Sequence, residues 1–387
     1  MSWSKVKLGD VAPAIPVKNV NLDEDELVWQ LNLDQIESNT GKIVDKVKQP
    51  LSSAGSSTHF FNNEHVLYSK LRPYLNKVVV PDELGIATTE LVPMKPDQKR
   101  LNKEYLAYYL RSKPFVEWVS TQVSGAKMPR VVMSIFWQHE MPLPPLYEQE
   151  RIVSVLDKSN RLRQKREQAI KLADDFLRAT FLEMFGDPIE NPKGWNVKPL
   201  ADQIVHANNG ISRRRKEDTN EGDIVLRLQD VHYSGIAFDK ELNRIKLVDK
   251  EKQIARVEHD DLLFIRVNGN PNYVGRTAVF KSYIEPVYHN DHLIRIKLDN
   301  EYQSDFLCYL INSPFSRKLI AQQIKTSAGQ HTISQDGILK LMFYRPPIEL
   351  QEKFINIKNK IESIFYRKDK HEDLFASISN KLIHSIK

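Results

Sequence analysis

The sequence predicts an α+β chain built as an internal repeat: two globular α/β domains separated by a long antiparallel two-helix coiled coil, related by a pseudo-twofold axis. Three observations predict it. A proline-led segment is written twice, with Pro144/Pro346, Pro145/Pro347, Gln149/Gln351 and Glu150/Glu352 all matching at an offset of 202. After its opening prolines each copy runs for about 40 residues without glycine or proline, so each reads as one unbroken helix. Within each copy the seam positions step alternately by three and four, a heptad spacing that lets two helices supercoil.

The seam of the first helix contains Ile152, Val155, Leu162 and Phe176; that of the second contains Ile357, Ile361, Ile364, Phe375, Ile378 and Leu382. These are the expected helix-pairing residues. In chain order the reading is a first globular domain over 1–145, a central helix over 146–186, a second domain over 187–346 and a distal helix over 347–387. Gly186-Asp187-Pro188 and Asn191-Pro192-Lys193-Gly194 separate the central helix from the second domain.

The globular halves repeat as well. Trp3, Leu8 and Asp10 recur as Trp195, Leu200 and Asp202; Tyr109, Leu110, Pro114 and Phe115 recur as Tyr309, Leu310, Pro314 and Phe315; Leu91 and Asp97 recur as Leu293 and Asp299. The offset grows from 192 to 202, which places about ten extra residues in the second half. Short β-branched and apolar runs at Lys77–Val80, Ile86–Val92, Asp223–Leu228, Leu262–Val267, Arg276–Phe280 and Leu293–Leu298 predict strands. Asn102–Ser112 and Ser304–Asn312, each closed by a nearby proline, predict helices.

Composition sets the class. At 387 residues, with 41% hydrophobic and 27% charged side chains, the chain is long enough for two cores and reads as globular. Cys308 is the only cysteine, which rules out an intrachain disulfide and a cysteine-based zinc cluster. The opening MSWSKVKLGD carries no apolar run and no stretch approaches a membrane span, so a cytoplasmic protein without a membrane partner is expected. A formal charge of +6 permits a polyanionic partner.

Cationic, amide and aromatic side chains interleave in stretches that read as loops or strand ends. In the first half these are Lys70, Arg72, Tyr74 and Lys77, then Lys127 and Arg130. In the second they are Arg213, Arg214, Arg215 and Lys216, then Arg266, Asn268, Asn270, Tyr273 and Arg276, then Gln330 and His331. Arginine and lysine match guanine edges, asparagine and glutamine match adenine edges, and all can contact phosphate, so these are the candidate residues for double-stranded DNA. Four adjacent cations at Arg213–Lys216 repel one another unless an anion is near.

Enzymatic readings are weaker. Pro81-Asp82 followed by Asp97-Gln98-Lys99 loosely fits a metal-dependent nuclease, but Asp97 follows a proline in a polar stretch. Asn270-Pro271-Asn272-Tyr273 differs from an adenine-methyltransferase motif by an asparagine in place of proline, and no glycine-rich turn precedes it. His289 and His292 lack clustered co-ligands. No catalytic or metal residue is assigned.

PLPPLYEQERI at 142–152 and RPPIELQEKF at 345–354 resemble the two junctions of specificity subunits of type I restriction-modification systems, and the duplicated architecture resembles that family over essentially the whole chain. Leu350 stands where the first copy has Glu148. The resemblance implies two target-recognition domains, no catalysis by this chain, and two modification (methyltransferase) subunits as partners, to which two restriction (endonuclease/translocase) subunits can add. It also implies N6-adenine methylation with S-adenosylmethionine held by the partner, so that this chain binds no cofactor.

Two domains that share frame residues and differ elsewhere call for an asymmetric site of two half-sites. A helix of some 35 to 38 residues measures roughly 50 to 57 Å and acts as a ruler against a duplex turn of about 34 to 36 Å. A stand-alone nucleic-acid-binding scaffold is the alternative from a different class.

Overall fold

Each half begins with the same device. In the computed structural model, which describes residues 3–212, 221–233, 235–238 and 241–365, strand Ser4–Lys7 pairs antiparallel with Glu140–Leu143. Strand Val197–Pro199 pairs in the same way with Met342–Tyr344. The repeated leucine comes next. Leu8 and Leu200 are both wholly buried, and their amides donate to the carbonyls of His139 and Leu341 at 2.9 and 2.8 Å. The described residues fall into two compact units, 3–168 and 169–365.

In the first unit a four-stranded sheet runs Lys48–Pro50, Leu27–Leu31, Gly85–Thr88, Thr58–Phe61, and a three-stranded sheet runs Val78–Val79, Val66–Ser69, Leu91–Met94. Leu27–Leu31 and Gly85–Thr88 are parallel. The run Ile86–Val92, expected as one strand, is two strands in separate sheets. The Thr89 amide donates to the Ser57 carbonyl, and the Glu90 carbonyl accepts the Lys70 amide, so the polar pair turns the chain from one sheet to the other. Helix Lys103–Arg111 starts where Asn102 accepts the Tyr105 amide at 2.9 Å. Helix Lys113–Thr121 follows at once, with proline in its first turn where no amide partner is needed. A short hairpin, Val123–Ser124 with Arg130–Val131, comes next.

The second unit repeats this plan. Leu262–Ile265 lies between Leu293–Leu298 and Thr277–Val279, as Val66–Ser69 lies between Leu91–Met94 and Val78–Val79. Asp223–Leu226 runs parallel to Val287–His289. Helices Ser304–Asn312 and Pro314–Gln322 precede a hairpin of Ile324–Ser327 with Gln330–Ile333. Leu262–Ile265 is buried at all four positions, which is why its sequence, LLFI, is an unbroken apolar run rather than an alternating one.

The repeated glutamine explains the proline-led junction. Gln149 is wholly buried; its Nε2 donates to the carbonyls of Arg100 and Pro144 at 2.8 and 2.7 Å, and its Oε1 accepts the Asn102 amide at 2.8 Å. Gln351, also wholly buried, donates to Pro346 at 2.8 Å and Glu301 at 3.4 Å, and accepts the Gln303 amide at 2.9 Å. In each unit the amide side chain ties the first turn of a long helix to the loop before the first short helix. A charged or apolar replacement leaves buried backbone groups without partners.

Helix Leu146–Phe185 is unbroken over 40 residues. It ends at Gly186, whose amide donates to the Leu182 carbonyl at 2.8 Å. Gly186 has φ +79°, and a Cβ there would come within 2.6 Å of Pro192. Its buried stripe differs from the expected heptad seam. Ile152, expected to face a partner helix, is wholly buried in the core of the first unit together with Leu156. Tyr108 holds the same face, donating to Asp157 at 2.7 Å and accepting from Asn160 at 3.1 Å. Val155, Leu162 and Phe176 are exposed.

In the second unit Ala173, Leu177, Phe181 and Phe185 are buried at steps of four, the spacing of a helix laid on a core. Phe181 meets Phe354 edge-on with ring centroids 5.4 Å apart. Ala169, Leu172, Ala173 and Phe176 face Ile361 and Phe365 across an apolar cleft of about 320 Å³, so over this stretch the two helical segments run in opposite directions. Ile357 and Ile361 are half-buried and Ile364 is exposed. Phe375, Ile378 and Leu382 lie outside the described residues.

Candidate nucleic-acid interface

In the first unit two stretches far apart in sequence meet. The Arg72 amide donates to the Pro129 carbonyl at 2.8 Å, the Val131 amide donates to Lys70 at 2.9 Å, and Leu71 bridges Arg130. The loop of Lys70–Lys77 and the hairpin loop of Lys127 therefore form one surface. Arg72 and Asn76 have φ of 49° and 50°, and the single turn Pro73–Leu75 between them lifts Tyr74 into solvent at 54% exposure. Arg72 and Lys127 are exposed and form no ion pair among the described residues.

Two expected contacts of the first unit are engaged internally. The Lys77 Nζ donates to the Leu33 carbonyl at 2.6 Å. The Arg130 guanidinium pairs with Glu90, its Nε and Nη2 at 3.0 and 2.9 Å from Oε1. Sequence alone concealed both, because Leu33 and Glu90 lie 44 and 40 residues away.

In the second unit the corresponding elements converge again. Val267–Asn268 pairs with Gln330–Ile333, setting Asn268 opposite His331. His331 Nδ1 lies 2.8 Å from Thr326 Oγ1, Gln330 is exposed at the hairpin tip, and an Arg266 Nη1 donates to the Asp291 carbonyl at 3.3 Å. Asn268 accepts the Asn270 amide at 2.9 Å and Asn270 accepts the Asn272 amide at 3.0 Å. Their Oδ1 atoms thus build the turn, which weakens the expectation that both read adenine, since that pairing needs the same oxygen as an acceptor. Arg317, missed in the sequence, donates to Val274 and Pro271 at 2.9 and 3.1 Å and fastens this loop. Arg213, Arg214, Arg215 and Lys216 lie outside the described residues.

Arg276 is held differently. Its guanidinium carbon lies 4.0 Å from the ring centre of Tyr233 and 4.3 Å from that of Tyr273. Tyr233 comes from the turn after Val231–His232, more than 40 positions before Arg276, and no local pattern marks it.

The groups weighed for enzymatic chemistry have structural partners. Asp82 is paired with Lys46 at 2.7 Å, which holds its carboxyl below the usual range. Asp97 accepts the Lys99 amide at 3.1 Å in an exposed turn. His289 is wholly buried with Nδ1 2.9 Å from the Ala255 carbonyl; burial pushes its pKa down to about 4. Its neighbour His292 is exposed. Among the described residues no group of three or more histidine, cysteine, aspartate or glutamate side chains could hold a metal ion, and no helix is long and apolar enough to cross a membrane.

A duplicated α+β module, gathering cationic and aromatic side chains onto one loop surface in its first copy and cationic, aromatic and amide side chains in its second, defines the class of this protein. The chain matches, over residues 2–172, the family model of the type I restriction modification DNA specificity domain. It is 30% identical to the StySPI specificity subunit of Salmonella potsdam over 69% of this chain and 59% of that one. To the EcoKI specificity subunit of Escherichia coli K12 it is 22% identical over 69% of this chain and 60% of that one. The chain thus spans about 60% of the length of these relatives. In fold it is similar to the S subunit of a type I restriction-modification system from M. genitalium, with a TM-score of 0.60 and 16% identity, covering 100% of this chain and 97% of that one. A second similar chain comes from a structure concerned with assembly of the type I R-M system (TM-score 0.55, 17% identity, 98% and 97% covered).

Proposed function

We propose that this chain is the sequence-reading, non-catalytic subunit of a type I restriction-modification complex. Its two loop surfaces read the unlike halves of a bipartite, asymmetric site in double-stranded DNA. The single observation that carries this reading is the convergence, in each unit, of the same two loops onto one surface: Leu71 beside Arg130 and Asn268 beside His331. The frames match while the side chains on the loops differ, so the two half-sites differ in sequence.

The chemistry belongs to partners. Two methyltransferase subunits bring S-adenosylmethionine and methylate adenine, two restriction subunits can join them, and the assembly works in the cytoplasm with this chain binding no cofactor. The long helices pair antiparallel as a coiled coil between the two target-recognition domains and fix the gap between half-sites. At 1.5 Å per residue, a 40-residue helix is roughly 60 Å long.

Mapping methylated adenines in DNA from cells carrying this chain tests the proposal. The expected result is an asymmetric two-part motif with a constant gap; a palindrome, or no motif, overturns it. Shortening both helices by a matching number of turns shortens the gap and leaves the half-sites unchanged. Purification of this chain without any methyltransferase subunit favours a stand-alone nucleic-acid-binding scaffold instead.

A further inference from the structure

We infer that Arg276 is the guanine reader of the second half-site, pre-organised by Tyr233 and Tyr273; this rests on the function proposed above. The two rings lie 4.0 and 4.3 Å from its guanidinium carbon, close enough for both ring faces to attract the cation and restrict its swing. Its Nε is buried and has no hydrogen-bond partner. No ion pair or side-chain hydrogen bond engages the group among the described residues. Both tyrosines are exposed, at 54% and 41%, and the Tyr273 amide donates to the Asn270 carbonyl at 3.1 Å, so the stack opens to solvent beside the asparagine turn.

With Nε closed off, the two terminal nitrogens are what the side chain can offer. Their paired N–H groups match the two acceptors, O6 and N7, that guanine shows in the major groove. A phosphate needs only a nearby cation; a fork fixed between two rings gains direction and gives up little further freedom on binding. The nearby asparagines do not compete for this role, since their Oδ1 atoms are committed to the turn.

The assignment is specific to the second unit. The Ile265 amide donates to the Arg276 carbonyl at 2.8 Å, as the Ser69 amide donates to the Lys77 carbonyl at 3.0 Å, so Arg276 and Lys77 hold equivalent places. Lys77 turns inward to Leu33.

The test selects duplexes from a random pool with the complex purified through this chain, comparing wild type with Arg276→Gln, Tyr233→Phe and Tyr233→Leu. Arg276→Gln is expected to lose a preference of roughly tenfold to a hundredfold for guanine at one position of one half-site, with the other half-site intact. Tyr233→Phe keeps that preference, because the ring face remains, and Tyr233→Leu relaxes it. A uniform fall in affinity with every base preference retained, and a salt dependence shallower by about one counterion, marks a phosphate contact and overturns the inference. If Arg276→Gln abolishes all binding, Tyr233→Leu decides: unchanged base preference there overturns it too. A wild-type complex that selects no two-part site overturns the proposed function itself, and this inference with it.

Discussion

Lys77 and Arg276 occupy equivalent places in two copies of one module and do opposite things. The lysine runs inward to a backbone carbonyl, whereas the arginine stands between two exposed rings with its donors unused. A short paired turn stands beside each. In the first unit the turn bridged by Ile36 and Ile43 carries Asn39, whose amide donates to the Asn76 carbonyl; in the second, the pair Val231–His232 with Gly235–Ile236 carries Tyr233 against Arg276. The frame beneath is shared, down to the glutamine that ties each long helix to its unit. The comparison teaches that duplication preserves the hydrogen bonds which hold the loops and leaves the loop tips free to diverge.

The largest effects come from the cores and sharpen where each helix belongs. Phe181→Ala is expected to cost about 3–5 kcal/mol and Ile152→Ala about 2–5 kcal/mol. In hydrogen exchange, Ile152→Ala loosens strands of residues 3–168 and leaves the strands of 197–344 protected. Loss of protection in the second unit instead makes Ile152 a helix-pairing residue after all.

Next in size are the twin glutamines. Gln149→Ala and Gln351→Ala each strip a buried amide and two carbonyls of partners, at about 1–3 kcal/mol. Gln149→Ala is the costlier by chemical denaturation, since its weakest contact is 2.8 Å and that of Gln351 is 3.4 Å. Equal losses break that ordering.

Acid separates the units more gently. His289 sits opposite Leu226 in the register where the first unit has Ala87 opposite Leu31. Burial favours its neutral form, with a pKa of about 4 against 6.5 for the free side chain. Between those values the unfolded chain binds the extra proton, so the contribution is whole above pH 6.5 and is lost as pH falls towards 4. Replacing it, as His289→Leu, flattens the pH dependence of stability there by up to about 1.4 kcal/mol per pH unit. An unchanged slope places its charge change elsewhere.

The smallest effect concerns Arg130. Glu90→Gln removes its carboxylate partner, a partly exposed pair worth about 0.2–1 kcal/mol. The variant is expected to bind duplex DNA less than tenfold more tightly, with a steeper salt dependence. Unaltered salt dependence leaves Arg130 a structural residue of the first unit.

Much of the fold is legible in the chain. Helix Ser304–Asn312 appears at its expected bounds, Lys103–Arg111 appears within the expected Asn102–Ser112, and the helix break falls at Gly186, because caps and glycines act through neighbouring atoms. At Ile152 the heptad spacing coincides with the core of the first unit. An apolar residue every three or four positions suits a partner helix and a domain core alike, and only packing tells them apart. Of the site, exposed Arg72, Tyr74 and Gln330 were readable as loop residues, while the engagement of Lys77 and Arg130 was not.

What the sequence by itself determined is the repeat: matched leucines, glutamines and prolines recur because each satisfies a buried position or a backbone group near it in the chain. Only the tertiary structure decided which cations face outward. Their partners, Leu33 for Lys77, Glu90 for Arg130 and Tyr233 for Arg276, come from distant segments. A charge finds its nearest oxygen or ring once the chain has folded, and no spacing along the chain records that distance.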